Sequence, residues 1–394
     1  MASSRTIVIA GAGIGGLTLA LALARKGFRA VVLEQSERLE ATGAGIQLSP
    51  NAVRVLLAVG LGEHIKRRII APGAVRVMGG GSGREIVRVP LGAGAETRYG
   101  APYWVIHRGD MQAALVEAVE QTPDVTLRLG ARVEDFAVHA KGVTVQARGS
   151  SGAIDEHGIA LVGADGLWST VRTRLGYLTP PRFCHRSAWR AVVPADRVAE
   201  SFRAPLIFLW LGPDAHLAHY PVKSGRAVNI VAIVRDAWQQ PGWSAEGKAP
   251  ELMARFDRWA PAPRELLAIP KRWLRWALFD RPRLSSWGDG PITLLGDAAH
   301  PMLPFLAQGG AMAVEDAAVL AECFGAAADP RTALASYERL RRHRAARAQR
   351  AARINGIAYH LKGPAALLRN LALRAGGGET LLRRYDWLYG WQPR

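Results

Sequence analysis

Cysteine is nearly missing from this chain: Cys184 and Cys323 are the only two among 394 residues. Two thiols make no disulfide framework, and Cys323 falls in an apolar helical run, so a reducing, cytoplasmic setting is expected. Long apolar runs are lacking too. Past the N-terminal stretch, nothing reaches the roughly 18 consecutive apolar residues of a membrane helix. The N-terminal run TIVIAGAGIGGLTLALALA is broken by Gly11, Gly13, Gly15 and Gly16, which spoil it as a signal helix. Acidic residues are scarce, 33 against 51 Lys and Arg, leaving a net charge of +18 and a pI near 10.7. Such an excess suits nucleic acid, a membrane surface or an anionic small molecule. The sequence has no zinc-ligand spacing, no RNP-like stretch and no basic helix joined to a zipper, so neither nucleic acid nor a metal is expected. Much of the charge lies in residues 339–353, RLRRHRAARAQRAAR, which at helical spacing read as a solvated face.

What is present is an ordinary globular composition, 49% apolar and 21% charged, long enough for two or three domains. The chain is organised around residues 294–317, LLGDAAHPMLPFLAQGGAMAVEDA. A buried strand ends at Gly296-Asp297, a Pro-punctuated loop follows, and Gly309 and Gly310 open an apolar helix. This suits an extended, polyhydroxylated, anionic cofactor. Asp297 can accept from hydroxyls, and bare backbone at Gly309 and Gly310 lets N–H groups and the helix dipole face a flat ring. At the N-terminus a strand runs into Gly11, Gly13 and Gly16. A helix, a second strand and then Glu34 follow within about 30 residues, the dinucleotide fingerprint in its context. Gly11 allows the tight turn, Gly13 the approach of a pyrophosphate and Gly16 close helix packing, while Glu34 is placed for ribose hydroxyls. This fingerprint does not separate NAD from FAD.

Residues 42–65 hold a glycine-rich loop and a helix that Ser49 can cap, with Pro50 in its first turn and Gly60 at its end. Residues 75–98 read as a hairpin, and 107–120 as a helix capped by Asp110. Residues 125–129, 132–138 and 143–148 read as a meander. Strands are expected at 186–193, 206–211, 215–222 and 227–234, and a helix interrupted by Pro261 and Pro263 at 251–269. In the strand 215–222, His216, Ala218 and Tyr220 share one face and Leu217, His219 and Pro221 the other; parity does not say which faces a ligand. Arg190 is a possible partner for a substrate carboxylate.

Three stretches carry a family resemblance. GDAAHPMLPFLAQGG resembles the second flavin signature of the class A flavoprotein aromatic hydroxylases. GADGLWSTVR resembles their DG motif, and the ending RYDWLYGW resembles salicylate-hydroxylase-like members. With the N-terminal fingerprint, the resemblance spans nearly the whole chain. It implies an α/β fold: an FAD-binding Rossmann-like domain of the glutathione-reductase type, an inserted β-sheet substrate domain and a C-terminal helix. The implied segments are 1–74, 100–178 and 275–330 for FAD, 75–99 and 179–274 for substrate, and 331–394 for the tail. It further implies that Arg108, Gln112 and Asp165 meet FAD, and that Gln47 lies beside the substrate. The Pro304 carbonyl would contact it, with Phe305 standing where some relatives carry a polar residue. Substrate-contacting polar residues are implied on the strand 215–222. His219 is the first choice as catalytic residue, because HYPV resembles the family's substrate strand; His216 is the reserve and Tyr220 a third candidate. Taken singly, each reads first as structural.

The implied activity is a single-component, FAD-dependent, NAD(P)H-consuming monooxygenase. It would hydroxylate a phenolic or heteroaromatic carboxylate with O2 through a flavin C4a-hydroperoxide. The alternatives are a ubiquinone-pathway or polyketide-type flavin hydroxylase and, in another class, a flavin-binding redox sensor or scaffold. Monomer and homodimer both stay open.

Overall fold

The computed structural model describes residues 5–39, 43–150, 152–240, 242 and 245–393. Thr42, at the head of the second glycine-rich loop, lies outside the described residues. The β-branched runs at Thr6–Ala10 and Arg29–Leu33 pair in parallel through the helix Ile14–Ala24, whose Leu, Ala and Thr side chains are buried nearly all round. They sit inside a six-stranded sheet ordered Gly288–Asp289, Ile292–Leu294, Ala160–Gly163, Thr6–Ala10, Arg29–Leu33, Val125–Arg128. Parallel pairing with helices on the faces demands strands apolar on both sides, and Ile7, Val8, Ile9, Leu161 and Val162 are fully buried.

A second sheet has eight strands. Its order is Ala245–Gly247, Trp273–Asp280, Arg182–Pro194, Ala227–Arg235, Ala215–Val222, Ile207–Gly212, Ala74–Gly79, Glu85–Pro90. Pairing is antiparallel except where Ile207–Gly212 meets Ala74–Gly79. One face packs under the helices Ala249–Met253 and Pro261–Ala268, around Trp189, Leu217, Trp273 and Phe256. The other face is turned to the first domain. Past residue 328 the chain forms the helices Pro330–Tyr359, Gly363–Arg383 and Asp386–Tyr389. Among the described residues no helix is long and apolar enough to cross a membrane.

Several expectations need correction. Val125–Arg128 leaves the meander and pairs with Arg29–Leu33; the three-stranded sheet is completed by Gly152–Gly158 instead. Gly92–Tyr99 is helical, closed by Gly100 at φ +70 and anchored by buried Ala95 and Tyr99. The prolines at 261 and 263 start a helix rather than interrupt one, since proline fits a first turn. The helix Arg108–Glu120 is capped by His107, which accepts from Gly109 N–H at 3.3 Å. The Ser49 hydroxyl makes no cap bond; it donates to Asn51 Oδ1 at 2.6 Å.

Candidate active site

At the C-terminal end of the parallel strands the glycines divide their tasks. Gly11 has φ +106, and a Cβ there would lie 2.6 Å from the Ala164 carbonyl oxygen. A Cβ on Gly16 would lie 2.1 Å from the Gly11 carbonyl oxygen, whereas one on Gly13 would meet nothing within 4 Å. The open space therefore sits at Gly13, where the first helix begins. Glu34 accepts from Ala12 N–H at 2.8 Å and from Ser36 N–H at 2.9 Å, with lone pairs left for hydroxyl donors. Gln112 donates to the Ala12 carbonyl at 3.2 Å. Arg108 is exposed at the first turn of its helix, close enough in charge to lower the Asp297 carboxyl.

Asp165 accepts from Val171 N–H at 3.1 Å through one oxygen; the other is buried with no partner in the protein. Burial pushes its carboxyl upward, and a hydroxyl donor is what that oxygen lacks. Burial likewise raises Asp297, against the opposing pull of His300 and Arg108. Gly309 and Gly310 open the helix Gly309–Ala326 with almost no neighbours: a Cβ on Gly309 would lie 3.9 Å from Asp297 Oδ1, and one on Gly310 would lie 3.8 Å from Ile14 Cδ1. An open glycine turn, an orphan carboxylate oxygen and free N–H groups at a helix start fit the FAD that the resemblance implies.

Beneath this surface lies an ionic cluster that the sequence reading missed. Glu315 and Asp316, both fully buried on the glycine-started helix, hold Arg341 at 2.6 and 2.7 Å. Arg344 adds bonds to Glu315 at 2.6 and 2.7 Å and to the Trp387 and Leu388 carbonyls. Asp316 also accepts from Gly296 N–H at 3.1 Å and contacts His300 at 2.5 Å, so it ties down the loop that carries Asp297. Residues 339–353 are therefore not simply a solvated face: Arg341 is 1% exposed.

The eight-stranded sheet turns one face to this surface. Across its middle, Arg190, Val231, Ala218 and Leu209 are successive register partners. Val231, Ala218 and Leu209 are half-exposed while their strand neighbours are buried, which leaves a lane across the sheet. Arg190 ends the lane, its guanidinium 3.7 Å from the centre of the Trp276 ring. Burial, then the nearby charge of Arg108, lowers its pKa to about 10.

His216 and Tyr220 flank the lane on the same strand. His216 meets His360 at 2.8 Å, with the Phe305 and Tyr359 rings 5.6 and 5.4 Å away. Phe305 fills the notch left by Gly356, where a Cβ would come within 2.6 Å of its ring. Pro304, exposed, accepts from Ala307 N–H through its carbonyl at 3.1 Å. On the other flank Tyr103 donates to Gln47 at 2.7 Å, and Tyr220 lies within hydrogen-bond reach of the same amide.

His219 faces the opposite way, which corrects the first choice. It is fully buried in the far core, stacked at 4.4 Å on Phe208, edge-on to Phe202 and in contact with Trp210. Burial alone drops its pKa to about 3. That core lies on the face of the strand opposite His216, Ala218 and Tyr220. His360, Tyr103 and Tyr359 border this lane and were missed. They come from a helix end and from loop-flanking positions whose local sequence has no motif.

A family model described as an FAD binding domain matches residues 4–352. The 3-hydroxybenzoate 6-hydroxylase 1 of Aquipseudomonas alcaligenes is 40% identical over 385 residues, 98% of this chain and 97% of its own. A 3-amino-4-hydroxybenzoate 2-monooxygenase of Streptomyces cremeus is 37% identical over 387 residues, 98% of this chain and 94% of its own. A solved salicylate hydroxylase substrate complex superposes with a TM-score of 0.82 at 25% identity, covering 100% of this chain and 97% of that one.

Proposed function

The chain belongs to the FAD-binding class A flavoprotein monooxygenases, and we propose that it hydroxylates a small phenolic carboxylate lying in the lane of Val231, Ala218 and Leu209. The lane is the observation that carries this reading. It is an apolar floor wide enough for a ring, with a guanidinium at its end and an imidazole at its side. Arg190 lies two strand spacings from Ala218, roughly 10 Å, so its long side chain can meet a carboxylate while the ring reaches His216. The similar proteins act, by their names, on 3-hydroxybenzoate, 3-amino-4-hydroxybenzoate and salicylate, all ring carboxylates, which supports the choice.

FAD, when bound, accepts hydride from a reduced nicotinamide and activates dioxygen for transfer to the ring. Residues of the chain would supply the rest. The open turn at Gly13 takes the pyrophosphate and Glu34 the ribose, with Arg108 and Gln112 alongside. Asp165 and Asp297 take hydroxyls further along, and the N–H groups of Gly309 and Gly310 face the ring. Phe305 and Tyr359 exclude water from the far wall. Burial, His360 and Arg186 keep His216 neutral, so a bare nitrogen of its ring would accept the proton of the substrate's hydroxyl as oxygen is transferred. The electron pair left on that oxygen then enriches the ring. Gln47, held by Tyr103, and Tyr220 bound the other side of the lane.

The test is NADH and NADPH oxidation, with product analysis, across hydroxybenzoates, aminohydroxybenzoates and hydroxynicotinates, each beside its methyl ester. Acids should stimulate oxidation and yield product, esters should not, and Arg190→Met should erase the difference. An ester that works as well as its acid would end the carboxylate reading.

A further inference from the structure

Gly356 stands inside the helix Pro330–Tyr359, where glycine is the poorest choice after proline. What it provides there is space. A Cβ at this position would come within 2.6 Å of Phe305 Cδ2, 2.7 Å of Cε2 and 3.1 Å of Cγ. Carbon atoms in contact sit roughly 3.5–4.0 Å apart, so the ring would have to give way by about 1 Å. Its backbone is tied to the same helix: Asn355 donates to the Phe305 carbonyl at 3.2 Å and Gln349 to the Pro301 carbonyl at 2.9 Å. On its other side the ring packs on the strand row Ala188, Ile233 and His216, which are 0%, 1% and 4% exposed. That row is filled. The next row of the sheet is the half-exposed lane, and its Val231 packs against the same cluster as Phe305. A ring pushed off the notch therefore turns toward the lane.

We propose that Gly356 is a specificity-determining position, which seats Phe305 and so sets the room that the lane offers to a ring substituent. This rests on the lane being the substrate site. With a carboxylate at Arg190 and a hydroxyl at His216, the ring edge between those two groups faces Ile233 and the Phe305 ring packed on it. The opposite edge faces the row of Asn229 and Tyr220. Gly356 thus permits a hydroxybenzoate substituted between its hydroxyl and its carboxylate, and a side chain at that position would exclude it. One methyl group against such a wall is worth about 10–200-fold in discrimination.

The experiment titrates the FAD-loaded enzyme with 3-hydroxybenzoate, 3-hydroxy-2-methylbenzoate and 3-hydroxy-5-methylbenzoate, and reads Kd from the flavin absorbance. The 2-methyl group lies between hydroxyl and carboxylate; the 5-methyl group lies on the opposite edge. Wild type should bind the 2-methyl acid within about tenfold of the parent acid, and its rejection would overturn the proposal. Gly356→Ala should raise the Kd of the 2-methyl acid, relative to the parent, about tenfold or more. The 5-methyl acid should follow the parent, whereas a general loss of structure would move all three together. Adding Phe305→Leu, whose shorter side chain leaves room for the Cβ, should bring the ratio back to its wild-type value or below. An unchanged ratio in Gly356→Ala, an equal penalty on the 5-methyl acid, or no rescue by Leu would overturn the proposal. If Gly356→Ala does not fold, the double variant decides. It should fold and bind the three acids as Phe305→Leu alone does, and failure in either respect would overturn the proposal. Arg190→Met separates the two ideas. If wild type does not bind the parent acid, or Arg190→Met leaves its Kd unchanged, the lane reading falls. If Arg190→Met weakens binding while Gly356→Ala shifts no ratio, only the role of Gly356 falls.

Discussion

Replacing Arg341 by Met would leave Glu315 and Asp316, both with 0% side-chain exposure, without their shared cation. Met has similar length but no charge, so the change isolates the ionic contribution. Breaking a buried pair by removing one partner costs about 3–5 kcal/mol, because the surviving charge stays desolvated. Spread over 394 residues at about 2.1 cal/mol/K each, that loss lowers Tm by about 4–6 °C. Acid should reveal it further. Burial alone would raise the Asp316 carboxyl, but His300 and Arg341 overcome that and hold it at about 2, below its unfolded value near 3.9. A depressed folded pKa contributes stability above pH 4 and loses it as pH falls from 4 toward 2, about 2–3 kcal/mol in all. Arg341→Met should remove part of that contribution, so the variant's pH-stability curve flattens between pH 4 and 2. Since Asp316 also holds the loop of Asp297, FAD retention should fall with stability. Differential scanning fluorimetry from pH 2 to 8, with and without FAD, measures all three effects. A Tm within 1 °C of wild type and an unchanged acid curve would refute the claim that this cluster ties the tail to the flavin loop.

Asp297→Ala should weaken FAD retention on dilution strongly while leaving the apoprotein Tm within about 1 °C, because its half-buried carboxyl is raised by burial and gives the apo fold little. Equal FAD affinity would remove Asp297 from the site. Gly16→Ala should fail to fold or lose several °C, since its Cβ would stand 2.1 Å from a backbone oxygen. Gly13→Ala, with nothing within 4 Å, should keep its Tm and lose FAD affinity, as equilibrium titration of apoprotein would record.

The parts read correctly from sequence are those that neighbouring residues decide. The glycine turn, the strand Ala215–Val222 to its last residue, and the helix opened by Gly309 each follow from local chemistry. Arg341 was misread because its partners lie 25 and 26 positions earlier, and nothing in an arginine-rich helix marks which guanidinium turns inward. The helix Gly92–Tyr99 was missed because two glycines in its first turn argue against it; docking of Ala95 and Tyr99 outweighs that cost. Val125–Arg128 was misplaced because its alternation also suits an antiparallel meander, and only pairing with Arg29–Leu33 makes it parallel.

The histidine choice shows where local reading stops. Alternation assigns His216 and His219 to opposite faces, and both faces of this strand are buried, so hydropathy gives no sign of which is which. The tie is broken by a distant segment. The helices Ala249–Met253 and Pro261–Ala268 and the turn Ala254–Phe256 between them cover the face of Leu217 and His219 with Leu252, Leu266 and Phe256. Once that face is filled, the open side of the strand belongs to His216, Ala218 and Tyr220. The same packing explains a histidine on an apolar face. Aromatic neighbours hold His219 as a neutral, ring-stacked core residue, with Trp210 donating to its Nδ1 at 3.3 Å. One strand thus carries two histidines with opposite fates: in the far core the imidazole serves packing, and on the lane side it is the one placed for the proton transfer proposed above.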